Sequence, residues 1–129
     1  MSLYGVHAGT EGAAIDEVLA YWRLMEALGY EWLSVWDHFA PFLGRGTGSF
    51  EALATHAALA CLTERPRVGV LVYAVGYRHP AVLANAISTI DHLSGGRAEV
   101  AIGAGWAVGE FNAYGIPFEP TGERLDKLE

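Results

Sequence analysis

The chain has 129 residues, 52% hydrophobic and 18% charged, with 8 Lys and Arg against 15 Asp and Glu for a formal charge of −7. That length fits one domain with a sizeable core, and a negative chain without a Lys/Arg cluster repels phosphate backbones, which argues against a nucleic-acid partner. No apolar run reaches the ~18 residues of a membrane helix, no signal-peptide pattern opens the chain, and the single Cys61 permits no internal disulfide. A cytoplasmic protein that does not engage membranes is the expectation.

Leu3 to His7 alternates weakly and reads as a short first strand. Ile15, Val18, Leu19, Trp22, Met25 and Leu28 recur at helical spacing, and Gly29 supplies a C-terminal cap. The second strand, Trp32 to Trp36, ends abruptly in Asp37-His38. A Gly-rich loop, roughly Pro41 to Ser49, leads to an Ala-rich helix from Phe50 to Thr63. Val68 to Tyr73 is nearly continuous in apolar and β-branched residues, as expected of a strand buried on both faces. His79-Pro80 opens a third helix, lined by Leu83, Ile87, Ile90 and Leu93 and stopped by Gly95-Gly96. Ala98 to Gly103 is the fourth strand, and a fourth helix begins near Thr121 and is still running at Glu129.

Four strand–helix units in this order give a parallel sheet with right-handed crossovers. Two architectures compete, half of a (β/α)₈ barrel and a small doubly wound sheet. Barrels gather their active groups at the strand C-termini, and His7, Asp37-His38, the segment after Tyr73 and Gly103 to Trp106 all fall there. The reading is therefore α/β, the N-terminal half, (β/α)₄, of a (β/α)₈ barrel, with residues 1–129 as one partial domain and no second domain.

Four motifs stand in family order along nearly the whole chain: Ser34-Val35-Trp36-Asp37-His38-Phe39; Gly76-Tyr77-Arg78-His79-Pro80-Ala81-Val82-Leu83-Ala84; Thr89-Ile90-Asp91-His92-Leu93-Ser94-Gly95-Gly96-Arg97; and Gly103-Ala104-Gly105-Trp106, with Glu110 and Tyr114-Gly115-Ile116-Pro117 behind it. Together they resemble the bacterial luciferase-like monooxygenase superfamily, and within it the oxidoreductases that use the deazaflavin coenzyme F-420. The resemblance implies a (β/α)₈ barrel about twice this length. It implies hydride transfer between F-420 and a small organic substrate, or an FMN-dependent monooxygenase as the alternative. It places Asp37 near the polar edge of the ring and makes His38 similar to a catalytic acid or base. It also implies a non-proline cis peptide near Leu71-Val72 behind the ring, and a dimer interface on the second and third helices. The related sugar-phosphate dehydrogenases carry a catalytic Glu just after the fourth strand. Trp106, Ala107 and Val108 stand in that neighbourhood here, which argues against that substrate.

Asp37 and His38 are the catalytic candidates, since an ordinary histidine pKa near ~6.5 makes both protonation states available at neutral pH. Their alternative is to cap a loop or helix. Gly103-Ala104-Gly105-Trp106-Ala107-Val108-Gly109 departs from a dinucleotide-binding turn in its G-x-G-x-x-x-G spacing, with Trp106 in the way of a pyrophosphate and no helix expected directly behind it. A backbone closely approaching a flat ring fits better. Gly103, Gly105 and Trp106 therefore join Asp37, Leu71, Val72 and His7 as candidate cofactor-binding residues. His7, Asp37 and His38 are too few ligands for a metal site, and none is expected. His56 and His92 read as structural, while Arg78-His79 suits either a helix cap or a cofactor contact. A half barrel would expose two sheet edges and an apolar face. The expected partners are accordingly a second copy or a complementary C-terminal half barrel, besides a small-molecule substrate. A fragment of a longer enzyme and a non-catalytic half-barrel binding or assembly protein are both compatible with this sequence.

Overall fold

The computed structural model describes residues 3–41 and 48–129. Four strands, β1 (Gly5–His7), β2 (Trp32–Val35), β3 (Arg67–Ala74) and β4 (Ala98–Gly103), form one sheet in the order β1-β2-β3-β4 with every pair parallel. Three helices alternate with them, α1 (Ile15–Ala27), α2 (Ala52–Leu62) and α3 (Pro80–Ser94), and two short ones follow β4, α4 (Val108–Ala113) and α5 (Thr121–Asp126). Sequential neighbours throughout, with no reversal of strand order, is the (β/α)₄ arrangement of a barrel rather than of a doubly wound sheet.

The helices α1, α2 and α3 pack on one face of this sheet. Leu33, Val35, Val68 and Val70 point into it and meet Trp22, Leu59, Leu83 and Ile90 in the core. The register pairs His7 with Ser34 and Gly69 with Glu99, so the opposite face carries smaller and polar side chains. A Cβ on Gly69 would lie 3.0 Å from the Glu99 carbonyl oxygen, which explains a glycine inside β3. Arg97 ties the underside together, donating to the carbonyls of Ala60, Thr63 and Pro66 at 2.7–2.8 Å. His56 is fully buried between the Val68 carbonyl and the Tyr73 hydroxyl, a structural role, and His92 lies exposed in the last turn of α3.

Several boundaries differ from expectation. Leu3 and Tyr4 are exposed and precede β1, and Trp36 lies beyond β2. The α1 stripe is narrower than its spacing predicts: Val18 and Trp22 are buried, whereas Ile15 and Leu28 face outward. Most of the Gly-rich loop, 42–47, lies outside the described residues. β3 is not covered on both faces along its length, because Leu71 and Val72 stand in a bulge and are 45% and 38% exposed. A helix does open behind Gly105-Trp106: α4 starts at Val108, and α5 ends at Asp126 with Lys127 as its cap. The six residues of α4 give no helical periodicity in the sequence, because so short a stretch opens on a β-branched Val108 and Gly109 directly behind Gly105-Trp106.

Val100 and Ile102 of β4 are about half exposed and border an apolar groove of about 400 Å³ against Leu83, Ala84 and Ile87 of α3. Among the described residues, no helix is long and apolar enough to cross a membrane.

Candidate active site

The C-terminal ends of the four strands meet at one edge of the sheet. Asp37 lies just past β2 and is buried. Its Oδ2 accepts from the Ala74 amide at 2.9 Å and from Arg78 Nη1 at 2.7 Å, while Oδ1 accepts from Nη2 at 2.8 Å. Arg78 also pairs with Glu51, the N-cap of α2, and its guanidinium lies over the rings of Phe39 and Tyr73. Burial works against the Arg78 charge, but hydrogen bonds and attraction from Asp37 and Glu51 outweigh it and raise its pKa above the usual arginine value. The Asp37 carboxylate is thus spanned by protein donors and joins the tips of β2 and β3. The two residues Arg78-His79 divide their roles: Arg78 serves Asp37, and the His79 ring accepts from the Ala81 amide as N-cap of α3.

His38 follows directly and is enclosed by aromatic rings. Trp36 and Trp106 stand edge-on to it at centroid distances of 5.9 and 5.5 Å. Its Nδ1 lies 3.0 Å from Oε2 of Glu110, which reaches in from α4. Glu110 is buried and gathers three further donors: the Tyr77 hydroxyl at 2.6 Å and the amides of Phe39 and Ala40 at 3.1 and 3.0 Å. Burial pushes this carboxyl up, but the hydrogen bonds from Tyr77, Ala40 and His38 outweigh it and leave its pKa below the ordinary carboxylate value. Tyr77 moves the other way, because burial and then the adjoining Glu110 charge both disfavour a phenolate.

A cavity of about 210 Å³ opens beside these groups. Trp36, Asp37 and His38 line it from the segment just past β2, Leu71, Val72 and Ala74 from β3, Tyr77 from just past β3, and Gly105, Trp106 and Ala107 from beyond β4. The peptide between Leu71 and Val72 is cis, at the position the resemblance implies. Gly105 adopts φ +76, a conformation other residues seldom take, and a Cβ there would press on Phe111 at 3.0 Å. Gly103 is outside the lining but supports it, since a Cβ would meet Val72 Cγ2 at 2.6 Å. His7 stands one ring further out, edge-on to Trp36 at 6.2 Å, with Nδ1 on the Ser34 hydroxyl at 2.8 Å and its pKa lowered by burial. Among the described residues, no three His, Cys, Asp or Glu side chains are grouped to hold a metal ion.

The structure therefore brings His38, Asp37, Leu71, Val72, Gly105 and Trp106 to one cavity, with Gly103 and His7 behind its walls. Sequence reasoning gave Glu110 and Tyr77 no role. Both stand inside the quoted motifs, which was the available signal, but their meeting with His38 depends on the chain returning through β4.

The family model for luciferase-like monooxygenases matches residues 1–128. The chain belongs to that family. Among curated members, it is 34% identical over 125 residues to the F-420-dependent glucose-6-phosphate dehydrogenase of Beutenbergia cavernae, covering 96% of this chain and 37% of that one. It is 36% identical over 115 residues to 4-hydroxyprotoasukamycin monooxygenase of Streptomyces nodosus subsp. asukaensis, covering 84% of this chain and 30% of that one. Among solved structures, an F-420-dependent secondary alcohol dehydrogenase in complex with an F-420-acetone adduct superposes with a TM-score of 0.87 at 25% identity, covering 98% of this chain and 38% of that one. The chain thus spans less than two fifths of these luciferase-like relatives, which places it in an oxidoreductase family and aligns it with part of a longer barrel.

Proposed function

We propose that the cavity at the strand tips receives the flat ring of coenzyme F-420, and that the protein forms part of an oxidoreductase site passing hydride between that ring and a small organic substrate. The observation that carries this reading is the pairing of an apolar bulge, Leu71-Val72, with the indole of Trp106 beside His38 around one cavity. Apolar and aromatic walls with a few polar groups at one end suit a planar heteroaromatic ring. When bound, the deazaflavin supplies the carbon that gives or accepts hydride. Leu71 and Val72 would support the ring, Trp106 would cover it, and His38 would carry the proton that accompanies hydride transfer. Asp37 acts through position, holding Arg78 and the end of β3. Among the described residues, the cavity lining includes no Lys or Arg. The open edges of β1 and β4 and the small-residue helix α2 are where a second copy or a complementary half barrel would enclose the site.

Fluorescence titration of the purified protein with F-420 and with FMN, alongside its mass in solution, tests this. Saturable quenching of F-420 that weakens in Trp106→Ala is the expected result. Preference for FMN would move the reading to a flavin monooxygenase, and binding of neither ring would overturn it.

A further inference from the structure

We propose that Glu110 is a positioning residue for His38, fixing the neutral imidazole as the Nδ1–H tautomer so that Nε2 is its basic nitrogen. The argument is one of donor and acceptor accounting. Glu110 Oε1 accepts from the amides of Phe39 and Ala40, and Oε2 accepts from the Tyr77 hydroxyl at 2.6 Å. An amide can only donate, and a hydroxyl this close to a carboxylate donates to it. An ionised carboxylate holds no proton to give, so the remaining contact, His38 Nδ1 at 3.0 Å, is also a donation into Oε2. The other ring nitrogen is then the one that carries the lone pair, on the side of the imidazole away from Glu110.

Orientation is set as well as tautomer. Trp36 and Trp106 stand edge-on to His38 at 87° and 67°, restricting rotation of a ring already held at Nδ1. Glu110 also holds the two amides that follow His38 in the chain, so one carboxylate sets both the ring and the backbone carrying it. An oriented carboxylate behind a histidine is a recurrent device for presenting one nitrogen to a reaction. A carboxylate that merely tied α4 to the segment after β2 would need only the two amides. The positioning role of Glu110 rests on the reading of His38 as proton carrier only for its effect on turnover; the tautomer stands apart from it.

The decisive substitution is Glu110→Gln. The amide oxygen can keep the Phe39 and Ala40 donors, but its NH₂ then faces His38 and requires Nδ1 to accept, which reverses the tautomer. The probe is ¹⁵N-histidine-labelled protein without cofactor, read by two-bond ¹H–¹⁵N correlation above the histidine titration range, with His38 assigned by its loss in His38→Gln. The wild type should show Nδ1 protonated and Nε2 bare, and Glu110→Gln the opposite pattern. Tyr77→Phe, which leaves the His38–Glu110 contact intact, should keep the wild-type pattern. A wild-type His38 protonated at Nε2 overturns the proposal and needs no variant to fold. An unchanged tautomer in folded Glu110→Gln overturns it equally. In a turnover assay the Gln variant should lose about 10²–10⁴-fold in kcat with little change in KM. A reversed tautomer with unchanged kcat would support the positioning by Glu110 and overturn His38 as the proton carrier.

Discussion

Arg78 grips Asp37 with both ends of its guanidinium, at 2.7 and 2.8 Å, across the gap between the tip of β2 and the segment leading from β3 into α3. The Asp37 side chain is 1% exposed and that of Arg78 11%. Removing Arg78 strands the Asp37 carboxylate in a low-dielectric place, and removing Asp37 leaves the buried Arg78 with only the partly exposed Glu51. Asp37→Asn or Arg78→Met should therefore cost about 3–5 kcal/mol in urea unfolding. The double variant should recover part of that loss, because neither buried charge of the pair remains and the Glu51 side chain left behind is 43% exposed. A double-variant loss equal to the sum of the two single losses would show that the pair is not coupled.

Acid should weaken the fold in two stages. His56 donates Nε2–H to the Val68 carbonyl and accepts from Tyr73, and its burial lowers its pKa. The unfolded chain then takes up protons first, so stability is full above the unfolded value of ~6.5 and falls as pH drops through the folded one. Glu110 has the same sign at lower pH, because its folded pKa is also depressed. Its contribution is present above an unfolded value of ~4.3 and is lost below it. Unfolding free energies measured between about pH 3 and 8 should show both declines, and Glu110→Gln should flatten only the lower one.

Gly9 leaves room for the indole of Trp36. A Cβ there would sit 1.8 Å from Trp36 Cζ2, so the ring has to leave its place between His7 and His38. Gly9→Ala should lower stability by about 1–3 kcal/mol and alter the near-ultraviolet dichroism of the tryptophans. Gly109→Ala is the control. It lies within α4 with nothing within 4 Å of the new methyl, and should be neutral or stabilising by up to ~1 kcal/mol.

Trp106 is 64% exposed, so its truncation should shift stability by no more than ~0.5 kcal/mol. Its ring lines the same cavity as Leu71 and Val72 and stands edge-on to His38. Trp106→Ala should weaken binding of the deazaflavin ring by roughly tenfold, the loss of one stacking contact of about 1 kcal/mol or slightly more. An unchanged affinity would place the ring elsewhere.

The alternation of apolar strands and helices was legible along the chain, because each β-branched run and each 3.6-residue stripe is a local pattern. Asp37-His38 could be singled out for the same reason, standing where an apolar strand breaks off into titratable groups. The bounds of β1, the half-buried α1 stripe and the existence of α4 were not legible. Short segments carry too little periodicity to outweigh a Gly or a β-branched residue, and burial of Ile15 or Leu28 depends on what lies opposite them.

Sequence by itself determined a parallel (β/α)₄ chain with its titratable residues at the strand tips, since handedness and connection lengths leave few other ways to bury such strands. Tertiary structure alone decided what those residues do. Asp37 meets an arginine 41 positions away and Glu110 meets a histidine 72 positions away. No local pattern encodes such distances. They arise when parallel strands bring successive C-terminal ends to one edge, where buried carboxylates must find donors from whichever segments arrive beside them.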